Sequence, residues 1–291
     1  MVLKREVNVE DIYNAQAILI AGQSTAGVEV GQPFELKISQ GMIEGYSWVD
    51  KFGENPEVDT SSDPEDLWEF GGIYIYDADG TAPMQYISSS DVLDTGQTIE
   101  ISGLDIDGLP VTQTITTNGQ TNVTLATPLW RVFRMENESD FGSEINGILY
   151  FHIDPAPTSG VPLSTAVRAI INNGNNQTQM LLYTIPVGFV GFIRRGKFSI
   201  SRAQSTGTAQ CAYYSRRFGK VWKNKERFDV VANGSSQYTD LRPNWDIVPA
   251  KTDIRVSIEE VSSNGTGVSG SLQILLVEES KLIEAYKPLA Q

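Results

Sequence analysis

The chain has 291 residues, a formal net charge of −14, one cysteine and one histidine. A lone cysteine excludes an intrachain disulfide, and one Cys with one His removes the usual zinc sites, which take three or four such ligands. Hydrophobic residues make up 40%, a little under the globular norm, and no apolar run reaches the ~20 residues of a membrane span. The most apolar early segment, 15–21, is short and follows acidic residues, so neither a signal peptide nor a membrane anchor is expected.

Residues 1–45 read as an N-terminal arm. A short helix is expected over 9–18, capped by Asn8, then a glycine-rich connection through Gly22, Gly27 and Gly31, then a first strand over 34–38. Segment 45–72 is aromatic and acidic with little alternation. It reads as an ordered loop, with one helical turn at Asp63-Pro64-Glu65 that would bury Leu67 and Trp68.

From there the text is that of antiparallel β-sheet. Strands are expected over 73–76 and 84–87, then a meander whose runs alternate inward and outward. Thr98 to Ile101 is expected to reach a turn at Ser102-Gly103, and Val111 to Thr116 to end at Asn118-Gly119, a hairpin signal because both central residues of a type I′ turn need positive φ. Strands over 129–135 and 147–153 close the first half, and the proline-rich segment 154–162 reads as a hinge or surface loop. The second half is again β, with strands over 166–171, 179–185, 189–194, 197–202, 209–216, 222–232, 253–261 and 270–277. A turn is expected at Asn233-Gly234-Ser235, and one or two helical turns over 278–286. The fold class expected is all-β: two β-sandwich or jelly-roll-like halves, 46–158 and 159–291, behind the extended arm.

Charge is segregated along the chain. Between Glu44 and Asp107 sixteen acidic residues face Lys51 alone, whereas ten basic residues between Arg194 and Arg227 face only Glu226. The basic segment interleaves Tyr213, Tyr214, Phe218 and Trp222, a composition that suits nucleic acid, but an acidic chain repels phosphate at long range. The reading preferred is complementarity, either between neighbouring molecules or within one subunit. Asp77/Asp79 and Asp105/Asp107 precede glycines. They read as turns rather than calcium loops, since the twelfth positions hold Ser88 and Thr116 instead of glutamate. Cys211 reads as a small buried hydrophobe and His152 as structural.

Two stretches carry a resemblance. The first is 51–68, with the SSSD, GLDIDG and TNGQT turns that follow it; the second is 176–188, with Pro243-Asn-Trp-Asp-Ile-Val-Pro249 and the closing Gly-Ser-Leu-Gln-Ile-Leu-Leu-Val277. Together they resemble virion structural proteins of tailed bacteriophages. The resemblance implies a β-rich particle component, a capsid decoration (cement) protein or a tail or fibre part, on the particle exterior. The partners implied are the major capsid protein or other virion proteins, with a homotrimer as the oligomer. Interface candidates are Trp48, Trp68, Arg194, Arg195, Arg216, Arg217, Lys220, Trp222 and Lys223. Neither membrane, nucleic acid nor cofactor is expected, and no enzymatic activity; sugar binding by a tail component is the alternative, and its cleavage would need only two placed carboxylates.

Overall fold

A computed structural model describes residues 32–62, 64–202, 207–232, 238–239 and 246–282. The expected helix over 9–18, the turn at 233–235 and most of the C-terminal helical segment lie outside the described residues; of the last, a single 3-10 turn, Glu279–Lys281, is seen. The chain divides into two units between Trp48 and Val49.

In the first unit the expected strand over 34–38 is instead a helix, α1 (Phe34–Ser39). Its alternation is also an i, i+4 pattern, and Glu35 in the first turn with Lys37 in the last suits the helix dipole. Gly41, at φ 68°, ends it in the left-handed conformation that a side chain resists. Trp48 donates its indole N–H to the Glu35 carbonyl, and Phe34 meets Tyr46 edge-on at 6.0 Å.

Apart from a 3-10 turn at Ser164–Ala166, the remaining described elements are strands: β1 (Tyr46–Val58), whose residues from 49 on belong to the second unit, and β2 (Glu65–Asp66). A meander follows: β3 (Tyr86–Ser89), β4 (Thr95–Leu104), β5 (Pro110–Asn118), β6 (Val123–Thr124), β7 (Arg131–Asn137), β8 (Leu149–His152) and β9 (Val167–Ile171). The later chain supplies β10 (Leu182–Thr184), β11 (Phe189–Arg202), β12 (Thr208–Arg217), β13 (Lys223–Val231), β14 (Tyr238–Thr239), β15 (Asp246–Val248), β16 (Thr252–Val261) and β17 (Thr266–Glu278). They form four sheets: β1-β17-β11-β14 with β15 on β11, β10-β16-β12-β13 with β2 on β16, β6-β3-β8-β9, and β5-β4-β7.

Two cores result. One gathers Phe198, Val268 and Ile274 from the first sheet with Cys211, Phe228, Ile254, Val256 and Ile258 from the second. The other gathers Ile87, Phe151 and Ala169 with Ile99, Ile101 and Met135 from the two meander sheets. The all-β expectation thus holds, as two sandwiches.

Strand pairing crosses the division expected at 158/159. β1 lies beside β17, β2 pairs β16, and β9 pairs β8. The segments 67–68 and 180–183 explain why the halves do not separate. Leu67, Leu181 and Tyr183 enter the first core, while their neighbours Trp68, Met180 and Leu182 enter the second. An extended chain turns successive side chains to opposite faces, so these residues form one wall with a core on either side.

Several local expectations change. The acidic loop of 45–72 is largely β1, which tolerates Pro56 because it borders its sheet. Of the helical turn expected at 63–65, Asp63 lies outside the described residues and Glu65 belongs to β2 instead, although Leu67 and Trp68 are buried as expected. Residues 73–76 alternate without pairing: Tyr74 is buried and Ile73 and Ile75 are exposed, but the Tyr74 N–H goes to the Asp66 carboxylate at 2.8 Å rather than to a strand. The strands expected at 189–194 and 197–202 are one, β11, with an irregularity between Ile193 and Arg195. Segment 154–162 is a loop tied down by hydrogen bonds, with the Gly160 carbonyl accepting the Ser88 hydroxyl at 2.8 Å.

Gly103 lets β7 approach β4: a Cβ there would stand 2.1 Å from the Arg131 carbonyl oxygen and 2.9 Å from the Leu129 side chain. Gly103→Ala is expected to lower unfolding free energy by about 1–3 kcal/mol, read as a lower urea midpoint, because backbone rather than a flexible tip must move.

Candidate functional site

The second core's side of sheet β10-β16-β12-β13 carries charge. Tyr183, Ile254 and Tyr213 point into the first core, so their neighbours face the other way. Among these, Arg216 and Asp253 are direct cross-strand partners, as are Tyr214 and Arg255, and Thr184 pairs Asp253.

Asp253 is 1% exposed. It takes Arg131 from β7 in a bidentate grip (Nε to Oδ1 2.8 Å, Nη2 to Oδ2 3.1 Å), Arg216 Nη2 at 2.5 Å and the Thr184 hydroxyl at 2.6 Å. Asp79 closes the circuit, accepting Arg131 at 3.0 Å, Arg216 at 3.2 Å and the Gly219 N–H at 2.7 Å. Asp77 grips Arg168 of β9 at 2.7 Å, and its carbonyl accepts Arg131. Burial works against the charge on Arg131, but the hydrogen bond and negative charge of Asp253 more than offset it. Beside them, Asp66 pairs Arg255 at 2.9 Å. Burial still pushes the Asp66 carboxyl up to about 6, with Arg255 opposing. Desolvation is the larger effect here because Oδ1 has no hydrogen-bond partner.

Aromatic rings fill the space between these charges. The Arg131 guanidinium stands 4.2 Å over Trp130 and 5.0 Å over Tyr76. Trp222 lies between Arg216 at 5.2 Å and Arg255 at 4.6 Å, and also meets Tyr76. The aromatic interleaving of the basic segment therefore stacks on the chain's own arginines. Asp77 and Asp79 hold arginines, and Asp105 accepts the N–H groups of Asp107 and Leu109, closing its own turn as expected. No group of three metal-binding side chains occurs among the described residues.

The nine interface candidates are not brought together. Arg216 and Trp222 belong to the seam between the sandwiches, and Trp68 is buried in the second core with its indole N–H on the Gly72 carbonyl. Arg194 and the exposed Arg195 sit at the irregularity in β11, and Trp48 in the first unit. Arg217, Lys220 and Lys223 are exposed and line a cavity of about 360 Å³ at the β12–β13 turn. Arg131, Arg168, Asp253, Asp66 and Arg255 were missed in the sequence. The available signal was charge within otherwise apolar β runs, at Trp130-Arg131-Val132 and Thr252-Asp253-Ile254-Arg255-Val256.

His152 and Cys211 do not form a pair; they lie in different sheets. The His152 Nδ1 accepts the Asp154 N–H at 3.2 Å, so its proton is on Nε2, 2.9 Å from Ser88 Oγ, which in turn donates to Gly160. A serine that accepts from histidine is not activated for attack, and both side chains are fully buried. Burial pushes the Cys211 thiol up to about 12, which makes it a core residue.

No family model and no curated protein matches the sequence. Among solved structures, the chain is similar to the infectious bursal disease virus VP2 subviral particle at 9% identity, covering 95% of this chain and 79% of that one, with a TM-score of 0.23. The Gt strain of the same virus gives 13% identity, coverages of 92% and 78%, and a TM-score of 0.20. Superposition this loose bears on neither fold detail nor function. No described helix is long and apolar enough to cross a membrane.

Asp253→Ala is expected to cost about 3–5 kcal/mol, because two guanidiniums lose a shared buried counterion; denaturant unfolding measures it. His152 makes a separate, pH-dependent contribution. Burial lowers its pKa to about 4, against an Asp154 charge that raises it. Between about 6.5 and 4 the unfolded chain therefore takes up a proton that the folded one refuses. The stability advantage of the native protein over His152→Gln is expected to shrink as pH falls through that window, and to stay level above it.

Proposed function

We propose that this chain is a virion structural protein of the tailed-phage kind, a capsid decoration (cement) protein that acts as a building block and not as a catalyst. It would sit on the particle exterior, bind the major capsid protein and associate with its own copies, a trimer being the expected state. The sequence resemblance supplies the particle; the fold supplies a rigid all-β body with elaborated ends.

The observation that carries the reading is the loop end of the meander sandwich. Val92, Leu93 and Phe141 are there 64%, 69% and 101% exposed. They stand on loops that are held, not loose. Asp94, fully buried, accepts the Ser89 hydroxyl at 2.5 Å and the N–H groups of Asn146 and Gly147 at 2.7 and 3.0 Å, and its carbonyl accepts the Gly119 N–H. Large apolar groups kept in water on braced loops are a contact surface. A glycan-binding tail component would want open aromatic platforms, and Trp68, Trp130 and Trp222 are buried or stacked against arginine.

Purified chain mixed with heads that lack it is expected to co-sediment with them and to raise their resistance to heat and low salt. Fractionation with tails instead, or turnover of a host polysaccharide, would overturn the proposal.

A further inference from the structure

We infer that the chain self-associates head to tail, with loop 138–144 of one copy seated in the basic groove at the β12–β13 turn of the next. This deepens the reading as an assembling protein and names one of its contacts. The groove lies on the first-core face of β12, at the open end of that sandwich. Its lining carries the exposed Lys220 and Lys223, beside Arg217 and Lys225, which make interactions of their own, together with the exposed Val221 and the buried Val248. Among the described residues, no carboxylate lines it.

Loop 138–144 has the opposite character in the same layout. Glu138, Asp140 and Glu144 are set around Phe141, which is 101% exposed. The loop is already shaped for docking. Glu138 N–H bonds the Thr98 carbonyl at 2.8 Å, Ser139 Oγ accepts the Thr98 N–H at 2.8 Å, and the Asn137 side chain holds the Ser143 carbonyl at 2.8 Å. Ordering it therefore costs little on binding. Acids would meet Lys220 and Lys223 while the phenyl ring enters beside Val221 and Val248, and a cavity of about 360 Å³ takes a phenyl ring.

The contact cannot close within one copy. β7 begins at Arg131, bonded to Asp253 next to the groove residue Thr252, and ends at Asn137, just before the loop. Seven extended residues put the two roughly 20 Å apart. A contact between different patches of identical chains either closes into a ring, as a trimer would, or propagates.

Sedimentation velocity of the whole chain at low and high salt tests this. Wild type is expected to associate, less at high salt. Lys220→Glu with Lys223→Glu, or Glu138→Lys with Asp140→Lys, should each leave monomers, and mixing the two variants should restore association. Phe141→Ser should weaken it about tenfold. All substituted side chains lie at the surface, so circular dichroism of the variants should match wild type. A monomeric wild type, unaffected association in either charge variant, or no recovery on mixing would overturn the contact. Particle binding is scored separately: heads bound by a chain that fails these tests would leave the virion reading standing, and association without head binding would do the reverse.

Discussion

Asp253 is a carboxylate kept from water, and much of the middle of the molecule follows from accommodating it. An ionised carboxylate taken out of solvent costs several kcal/mol after relaxation, so it needs close positive partners and donors for its remaining lone pairs. Arg131 and Arg216 supply the charge and Thr184 a hydroxyl. The buried Arg131 and half-buried Arg216 guanidiniums then need acceptors of their own, which Asp79 and the Asp77 carbonyl provide; Asp77 in turn draws in Arg168. The chain of requirements joins β7, β9, β12 and β16, strands from three different sheets. Such a network contributes less to stability than its Coulomb attraction suggests. What it does supply is geometry, because displacing any of these strands leaves a buried charge without its partner.

The fold class was legible because period-2 alternation is a local signal, and β4, β5 and β12 fall where it points. The turns were less so: Ser102-Gly103 lies inside β4, and no type I′ hairpin forms at Asn118-Gly119, where Asn118 lacks a positive φ and β6 pairs with β3 rather than β5. Local signals fail where one pattern serves two structures. Phe34 to Ile38 alternates, yet its Glu and Lys also suit a single helical turn. Tyr74 and Tyr76 alternate, yet a carboxylate side chain takes the place of a neighbouring strand. β1 was hidden by its acids and Pro56, which an edge position tolerates. The pairings of β1 with β17 and β9 with β8 join residues far apart in sequence or across a proline-rich loop, and nothing local encodes them.

The seam was less legible than the fold. Position 253 in the run TDIRV reads as a solvated charge on the wet face of a strand, and that face is indeed the one opposite the first core. It is dry because a second sandwich lies against it, a tertiary fact that no window of ten residues contains. The same holds for Trp222. Its place among cations suggests an exposed binding platform, whereas its ring is taken up by the chain's own Arg216 and Arg255.

Segregated charge along the chain left two readings, neutralisation inside a subunit and attraction between subunits. Strand geometry shows the first for Arg216 and leaves the second as the proposal made above. Arg216 and Arg217 are neighbours in β12, so their side chains leave opposite faces of the sheet. The first turns to the seam and meets Asp79 and Asp253; the second turns to the groove at the end of the other face. Lys220 and Lys223, past the turn, stand on the groove side with it. A protein of net charge −14 that sets Lys220 and Lys223 at one opening carries its surplus acid elsewhere, and the head-to-tail contact proposed above would draw on that complementarity.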